Sequence, residues 1–500
     1  MGASPAVSCP ERTHTPGDLL STYILAGLGF ACLIGWELSA VFGPSLALLS
    51  FCDMREAAAL RIVSVLTLAA TFGFYAWKAD WVFEHRNRFL TVGSLLALVA
   101  VANTVANLAF SGIPLAVSVA AWALFGFAQG SIMMYWCVFF SLIPTRRTAV
   151  SIGLGSALGT LMFVFANASD ALWMNLAEIA LLIIGSVTLV AFLSTRIPPD
   201  RILPVSAFHR TSVLTVPASL SVACHGAVYG FMAIALCSMG PVAALVGGAS
   251  GLVGGGFALL WGYLGPKVDI DTGVVQRISL PFLVAGVLLF PLFEGVGRMV
   301  CGCLVITALA HASIIAWYST SIDNYEFRLH PVDRFALREA PNWVGFLLGS
   351  IIAYVFIFTV HIDGWAYDLA MAVFALVVVV AFSVYGGNES QTKKRLNALL
   401  TPAPVEALVS GGGVQGEDAP TAPPRSFKQR CERASEQYGL TPREDEVFFL
   451  LAKGRNAEYI AEQLVVSPAT VKSHIYHIYR KLGINSQQHL MNIVDDCEEE

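Results

Sequence analysis

Apolar stretches long enough to cross a bilayer recur along this chain from about Leu19 to Tyr385. About 20 consecutive apolar residues carry a helix across roughly 30 Å of hydrocarbon, where no water satisfies the backbone, so only helices or closed barrels can span it. The pattern predicts about twelve helical spans: near 19–42, 60–77, 89–110, 113–142, 150–168 and 171–193, then 213–237, 241–264, 276–293, 297–318, 341–360 and 365–386. Composition agrees, since only 13% of residues are charged and 56% are hydrophobic, against about 25% charged in soluble domains. The first apolar run has no cleavage site after it, so it is expected to stay as the first span. The ten cysteines are scattered through apolar stretches without a C-x-x-C pair or metal-ligand spacing, and they read as small buried hydrophobes.

Cytoplasmic loops of membrane proteins carry the excess of Lys and Arg. Here Lys78, Arg86 and Arg88 fall in the second loop, Arg146 and Arg147 in the fourth, and Arg196, Arg201 and Arg210 in the sixth. Lys267 falls in the eighth, and Arg328, Arg334 and Arg338 in the tenth, whereas the odd loops hold little beyond Arg55 and Arg298. The expectation is a multi-pass protein of the cytoplasmic (inner) membrane with both termini cytoplasmic and residues 1–18 as a short tail. A longer polar connection near 194–212 divides the spans six and six. That organisation resembles the major facilitator superfamily, which implies two six-helix halves around a site near the midplane. The superfamily's loop signature between helices two and three, G-x-x-x-D-R-x-G-R-R, is not matched by Trp77-Lys78-Ala79-Asp80-Trp81-Val82-Phe83-Glu84-His85-Arg86.

Polar side chains at membrane depth are costly and usually face the bundle interior. Glu37, Asn103, Asn107, Gln129, His225 and His311 are the candidate ligand-binding residues, with Glu178 a further buried acid. Interhelical hydrogen bonding is the alternative role for each.

Composition changes abruptly after Tyr385, to Gly386-Gly387, the basic run Lys393-Lys394-Arg395 and a Pro/Gly-rich stretch from Thr401 to Pro424. Residues 387–437 read as a flexible linker, and roughly 40 such residues reach about 35 Å. Beyond it the pattern turns helical and soluble. Thr441 with Pro442 and Glu444 forms a capping box, followed by the apolar face Val447, Leu450 and Leu451. Asn456 caps a second helix with Ile460, Ala461 and Leu464 inward, and Ser467-Pro468 opens a third. In that third helix Val471, Ile475, Ile478 and Leu482 recur at i, i+4, i+7 and i+11. The opposite face, with Lys472, Ser473, Tyr476 and Arg480, is polar, as a helix entering the major groove needs. A fourth helix is expected near 487–494.

Thr441-Pro442-Arg443-Glu444, Gly454, Ile460-Ala461, Leu464, Thr470-Val471-Lys472, His474, Ile478 and Lys481-Leu482-Gly483 resemble the bacterial LuxR/NarL-type helix-turn-helix family without gaps. The resemblance implies double-stranded DNA as partner and a dimer on DNA. It implies base-edge roles for Lys472, Ser473 and Tyr476, and phosphate roles for Thr470 and Lys481.

The expected fold class is all-α: a polytopic transmembrane bundle of about twelve spans over 19–386, then a four-helix LuxR-type domain over 438–500. No Walker loop, nucleophile elbow or metal cluster of catalytic spacing is present, so neither enzyme activity, cofactor nor metal is expected. The reading is a membrane-embedded one-component transcriptional regulator that senses a small molecule or a condition of the membrane lipid. The alternative is a facilitator-like secondary transporter with a regulatory tail.

Overall fold

The structure, a computed structural model, describes residues 16–43, 53–110, 113–143, 145–168, 172–197, 205–208, 216–264, 279–360 and 373, and in the C-terminal part 427–452, 460, 461, 464, 466, 468–482 and 490. The chain divides into two compact units, Met1–Ala403 and Pro404–Glu500.

The elements of the first unit, among its described residues, are helices. Its elements are α1 (Pro16–Val41), α2 (Met54–Trp77), α3 (Ala79–Glu84), α4 (Arg86–Ala109), α5 (Leu115–Ser141), α6 (Thr145–Ala168) and α7 (Leu172–Ser194). After a 3-10 turn at Val205–Ala207 come α8 (Val216–Ser238), α9 (Pro241–Ala249), α10 (Gly251–Leu264), α11 (Leu280–Leu289), α12 (Gly295–Glu326) and α13 (Pro331–Tyr354), which ends in a π turn, Val355–Thr359. Among the described residues, ten helical segments are long and apolar enough to cross a membrane, with α9 and α10 together supplying one. The chain is a multi-pass membrane protein.

Three expected spans differ in detail. The segment expected at 276–293 is helical over Leu280–Leu289 and then turns at Pro291, which cannot donate to a continuing helix. The span at 241–264 is two helices that meet at Ser250, whose hydroxyl donates to Gly247 O at 2.5 Å. The eleventh span begins at Pro331, ten residues before the expected start, so Arg334 and Arg338 lie inside α13 and not in a loop. Pro341 sits within that helix, and a proline there reads from sequence as a boundary. The expected span at 365–386 lies outside the described residues apart from Val373.

Small residues let the helices approach closely, the usual means of association where lipid is as apolar as leucine. Gly226 and Gly230 on α8 face Gly345 and Gly349 on α13. A methyl group at any of the four would overlap a carbonyl of the opposite helix: Asn342, Phe346, Ala223 and Ala227 respectively. α13 is thereby pressed against α8 and also packs along α2, where Arg55 Nε donates to Tyr354 Oη at 3.1 Å. Its N-terminus is capped by His330, whose Nδ1 accepts from Asp333 N at 3.1 Å. That leaves the ring's Nε2 3.4 Å from Asp80 Oδ1 on α3. Phe83 and Phe208 pack edge-on against the same imidazole.

The second unit is a helical domain of α14 (Phe427–Gln437), α15 (Pro442–Ala452) and α16 (Pro468–Leu482), with Ile460, Ala461, Leu464 and Leu490 also helical. Its core joins Val447, Phe448, Leu451, Ile460, Ala461, Val471, Ile478, Leu482 and Leu490. Cys431 and Ala434 of α14 are buried in the same core, so the last eleven residues of the expected linker are helical and packed. Gly439, at φ 60°, turns the chain out of α14, a left-handed position that suits glycine. Thr441 N then donates to Glu444 Oε2 at 2.8 Å and Glu444 N to Thr441 Oγ1 at 3.4 Å, closing the capping box. The expected signals at Gly454, Asn456, Ser467 and Gly483 lie outside the described residues.

Candidate functional site

The membrane unit encloses a cavity of about 190 Å³ between α1, α5 and α6 on one side and α8, α10, α12 and α13 on the other. Glu37, Gln129 and His225, singled out from sequence, line it together. Arg338, Glu339, Asn342 and Trp343 enter from α13, placed by the glycine contact with α8. Asn342 Nδ2 donates to Glu339 Oε2 at 3.2 Å, and Arg338 Nη1 donates to Thr320 Oγ1 at 3.1 Å. His225 Nε2 is 3.0 Å from Ser313 Oγ. Gln129 bonds Glu37, and the two acids, Glu37 and Glu339, are near enough to repel.

The apolar walls carry aromatic rings. Phe30 and Trp317 line the cavity and pack at a tilt, 5.5 Å between ring centres. Behind them Phe30 packs on Trp136 and Phe140, and Trp317 on Phe335. A site with carboxylates, one guanidinium, an imidazole and aromatic faces can hold a compact polar ligand and contact its apolar part.

The other candidates are not among the cavity's lining residues. Asn103 and Asn107, one turn apart on α4, both donate to Ser118 Oγ, at 3.3 and 3.1 Å. They fasten α4 to α5, the role an amide takes between membrane helices. His311 is 5% exposed and lies edge-on to Phe257 at 6.2 Å. Glu178 on α7 is half-buried, and its Oε2 has no hydrogen-bond partner.

Sequence reading missed Arg338 and Glu339 because it ended the loop at Pro341, and it passed over Asn342 inside the expected span. The signal was present: Val332, Phe335, Ala336, Glu339, Trp343 and Phe346 follow helical spacing straight through the proline, and all six are buried. It also missed Arg61, a cation 6% exposed inside α2.

In the C-terminal domain α16 buries Val471, Ile478 and Leu482 and leaves Thr470, Ser473, Tyr476, Arg480 and Lys481 exposed. Tyr476 is 64% exposed, an aromatic ring presented to solvent from the face that sequence assigns to DNA. Lys472 is helical within α16. Lys481 differs from the others, because its Nζ donates to Glu444 Oε2 at 2.7 Å and to Gly439 O at 2.8 Å. It braces the end of α16 against the start of α15, a partner inside the domain that the expected phosphate role did not foresee. Burial pushes the Glu444 carboxyl up, but the bonds from Lys481 and from the Thr441 amide and hydroxyl outweigh it and hold the group at about 2.

One unit of the chain is thus a bundle of membrane-spanning helices and the other a small helical domain whose helix α16 has an exposed polar face. Residues 439–494 match the family described as bacterial regulatory proteins, luxR family. The segment is 34% identical over 86 residues to a putative HTH-type transcriptional regulator of Mycobacterium tuberculosis, covering 17% of this chain and 10% of that protein. It is 42% identical over 48 residues to the spore germination protein GerE of Bacillus subtilis, covering 10% of this chain and 65% of that protein. The chain thus spans about a tenth of the length of the mycobacterial relatives.

For the membrane unit the likeness is one of fold. The proton:xylose symporter XylE superposes with a TM-score of 0.56 at 12% identity, covering 77% of this chain and 100% of that one. A bacterial homologue of the iron transporter ferroportin gives 0.53 at 10% identity, covering 73% and 98%. The protein therefore joins a major facilitator-like membrane domain to a C-terminal LuxR-type helix-turn-helix domain, a class of domain that binds DNA. Neither fold is that of an enzyme.

Proposed function

We propose that this chain is a membrane-embedded one-component transcriptional regulator. A small molecule enters the cavity bounded by Glu37, Gln129, His225, Arg338 and Glu339 and shifts the bundle between two states. The shift changes how the C-terminal domains pair on DNA, and the ligand's unequal affinity for the two states supplies the coupling free energy. The observation that carries the proposal is the presence, in one chain, of a polar cavity inside a helical bundle and a LuxR-type DNA-binding domain.

In this reading α16 enters the major groove, with Lys472, Ser473 and Tyr476 at base edges and Thr470 and Arg480 at phosphates. Lys481 braces the domain. The domain binds as a dimer, and both termini are cytoplasmic, in keeping with the Lys and Arg of the even loops. The boundaries are part of the proposal: a sensor over 19–386, a linker after it and a DNA-binding domain from 438, with α14 packed on its core. The chain uses no cofactor or metal and catalyses no reaction.

The test is selection of duplex DNA from a random pool by the full chain in lipid nanodiscs. Enrichment of a defined, two-fold related sequence that Tyr476→Ala abolishes is expected, and no enrichment would refute the DNA-reading half. The rival reading is a secondary transporter with a regulatory tail, favoured by the facilitator-like fold and the acids in the cavity. Vesicle uptake that Glu37→Gln abolishes would support the rival.

A further inference from the structure

The other charged groups around the cavity each have a polar partner within the protein. Glu339 is bonded by Asn342, Arg338 by Thr320, and His225 faces Ser313. Two groups of opposite sign nonetheless keep buried atoms without a partner. Glu37 Oε1 is buried without a hydrogen-bond partner, and so are Nε and Nη2 of Arg61. Leaving either ion bare at membrane depth is costly, and such residues persist where something pairs with them.

The two line spaces that share a wall. Arg61 lines a smaller cavity of about 20 Å³ that shares Val41, Gln129, Trp343 and Phe346 with the main one. Glu37 stands four residues before α1 ends at Val41, and Arg61 seven residues after α2 begins at Met54. At 1.5 Å per residue both are about 6–10 Å from helix ends that, for consecutive spans, lie on the same side of the membrane. Opposite charges at similar depth, with Gln129 lining both spaces and aromatic walls around them, suit one ligand that carries both signs.

We propose that the cavity takes a small amino carboxylate zwitterion, its ammonium at Glu37, its carboxylate at the guanidinium of Arg61, and its apolar body against Phe30, Trp317 and Trp343. The inference rests on the cavity being the sensing site and adds the chemical class of what is sensed. A planar guanidinium matches a carboxylate through two parallel bonds, and Nε with Nη2 is one of the edges that offers them. An ammonium can bond Glu37 and also meet an aromatic face. A neutral sugar would leave both ions unpaired, and a singly charged ligand would leave one.

The experiment uses the full-length protein in nanodiscs and follows tryptophan fluorescence, since Trp317 and Trp343 line the cavity. Two zwitterionic probes differ in charge separation: L-phenylalanine and trans-4-(aminomethyl)cyclohexanecarboxylate. Each is titrated beside its methyl ester, its N-acetyl derivative and the neutral form carrying both blocks. At least one zwitterion is expected to bind tenfold or more tightly than all three of its derivatives. Glu37→Gln removes its advantage over the N-acetyl form, and Arg61→Gln removes its advantage over the ester.

The proposal is overturned if no zwitterion has that advantage, or if the advantage survives in both variants. The derivative series on the unaltered protein decides the matter even if a variant fails to fold. A neutral derivative that binds equally well and still changes DNA affinity would sink the zwitterion and leave the sensor standing. If neither a bound probe nor Trp317→Ala changes DNA affinity, the sensor reading itself falls.

Discussion

Replacing Lys481 by methionine separates two roles that its position permits. In the structure its ammonium bonds a Glu444 carboxylate that also closes the capping box on Thr441, and the two side chains are 31% and 9% exposed. A charge-assisted hydrogen bond contributes about 1.5–3 kcal/mol when shielded, and exposed pairs much less. For a pair exposed on the lysine side, a loss of about 1–2 kcal/mol is expected in Lys481→Met. Hydrogen exchange on the full-length protein reads this directly. Amides of Pro442–Ala452 should exchange roughly five- to thirty-fold faster in the variant. The difference depends on pH in a fixed direction. Glu444 titrates at about 2 in the folded chain, below the ordinary 4.5, so its contribution is complete above about pH 4.5 and disappears as pH falls toward 2. The gap between the two proteins should close over that window. If exchange were unchanged while the salt dependence of DNA binding fell by about 0.9 in slope, Lys481 would be a phosphate ligand and the brace an error.

Gly349→Leu should force α13 away from the Ala227 carbonyl, at a cost of about 3 kcal/mol or more, seen as a lower melting temperature in detergent, whereas Gly256→Leu, which meets nothing within 4 Å, should melt almost as the parent does. Tyr476→Ala should lower affinity for the selected DNA by about 1–3 kcal/mol and leave nonspecific binding unchanged. Arg480→Ala should weaken all duplexes alike and reduce the salt slope by about 0.9. Thr441→Ala should cost about 1 kcal/mol of domain stability through the lost cap, read by the same exchange measurement.

The parts legible in the sequence are those governed by local rules. The membrane helices follow from runs of apolar residues, and the C-terminal domain from caps and a stripe, as Thr441 with Glu444 and Val471 with Ile478 show. The cavity was only half legible, because which polar residue faces a cavity depends on how helices are rotated. Asn103, Asn107, Gln129 and Glu37 look equivalent in sequence; rotation gives the first two Ser118 as partner and the last two a common space. Arg338 and Glu339 were hidden by a helix that runs through Pro341, where a long-range contact, the glycine face against α8, outweighs a local preference. Arg61 carried no local signal beyond its charge among apolar neighbours.

The closeness of α13 to α8 has a mechanical meaning. Two helices meeting backbone to backbone have almost no side-chain cushion between them, so one cannot be nudged without displacing the other as a stiff plank. α13 carries Arg338 and Glu339 about a third of the way along and His330 at its tip, where the ring abuts Asp80. In the proposed reading, a molecule wedged beside Glu339 pushes on a lever whose His330 tip presses on Asp80.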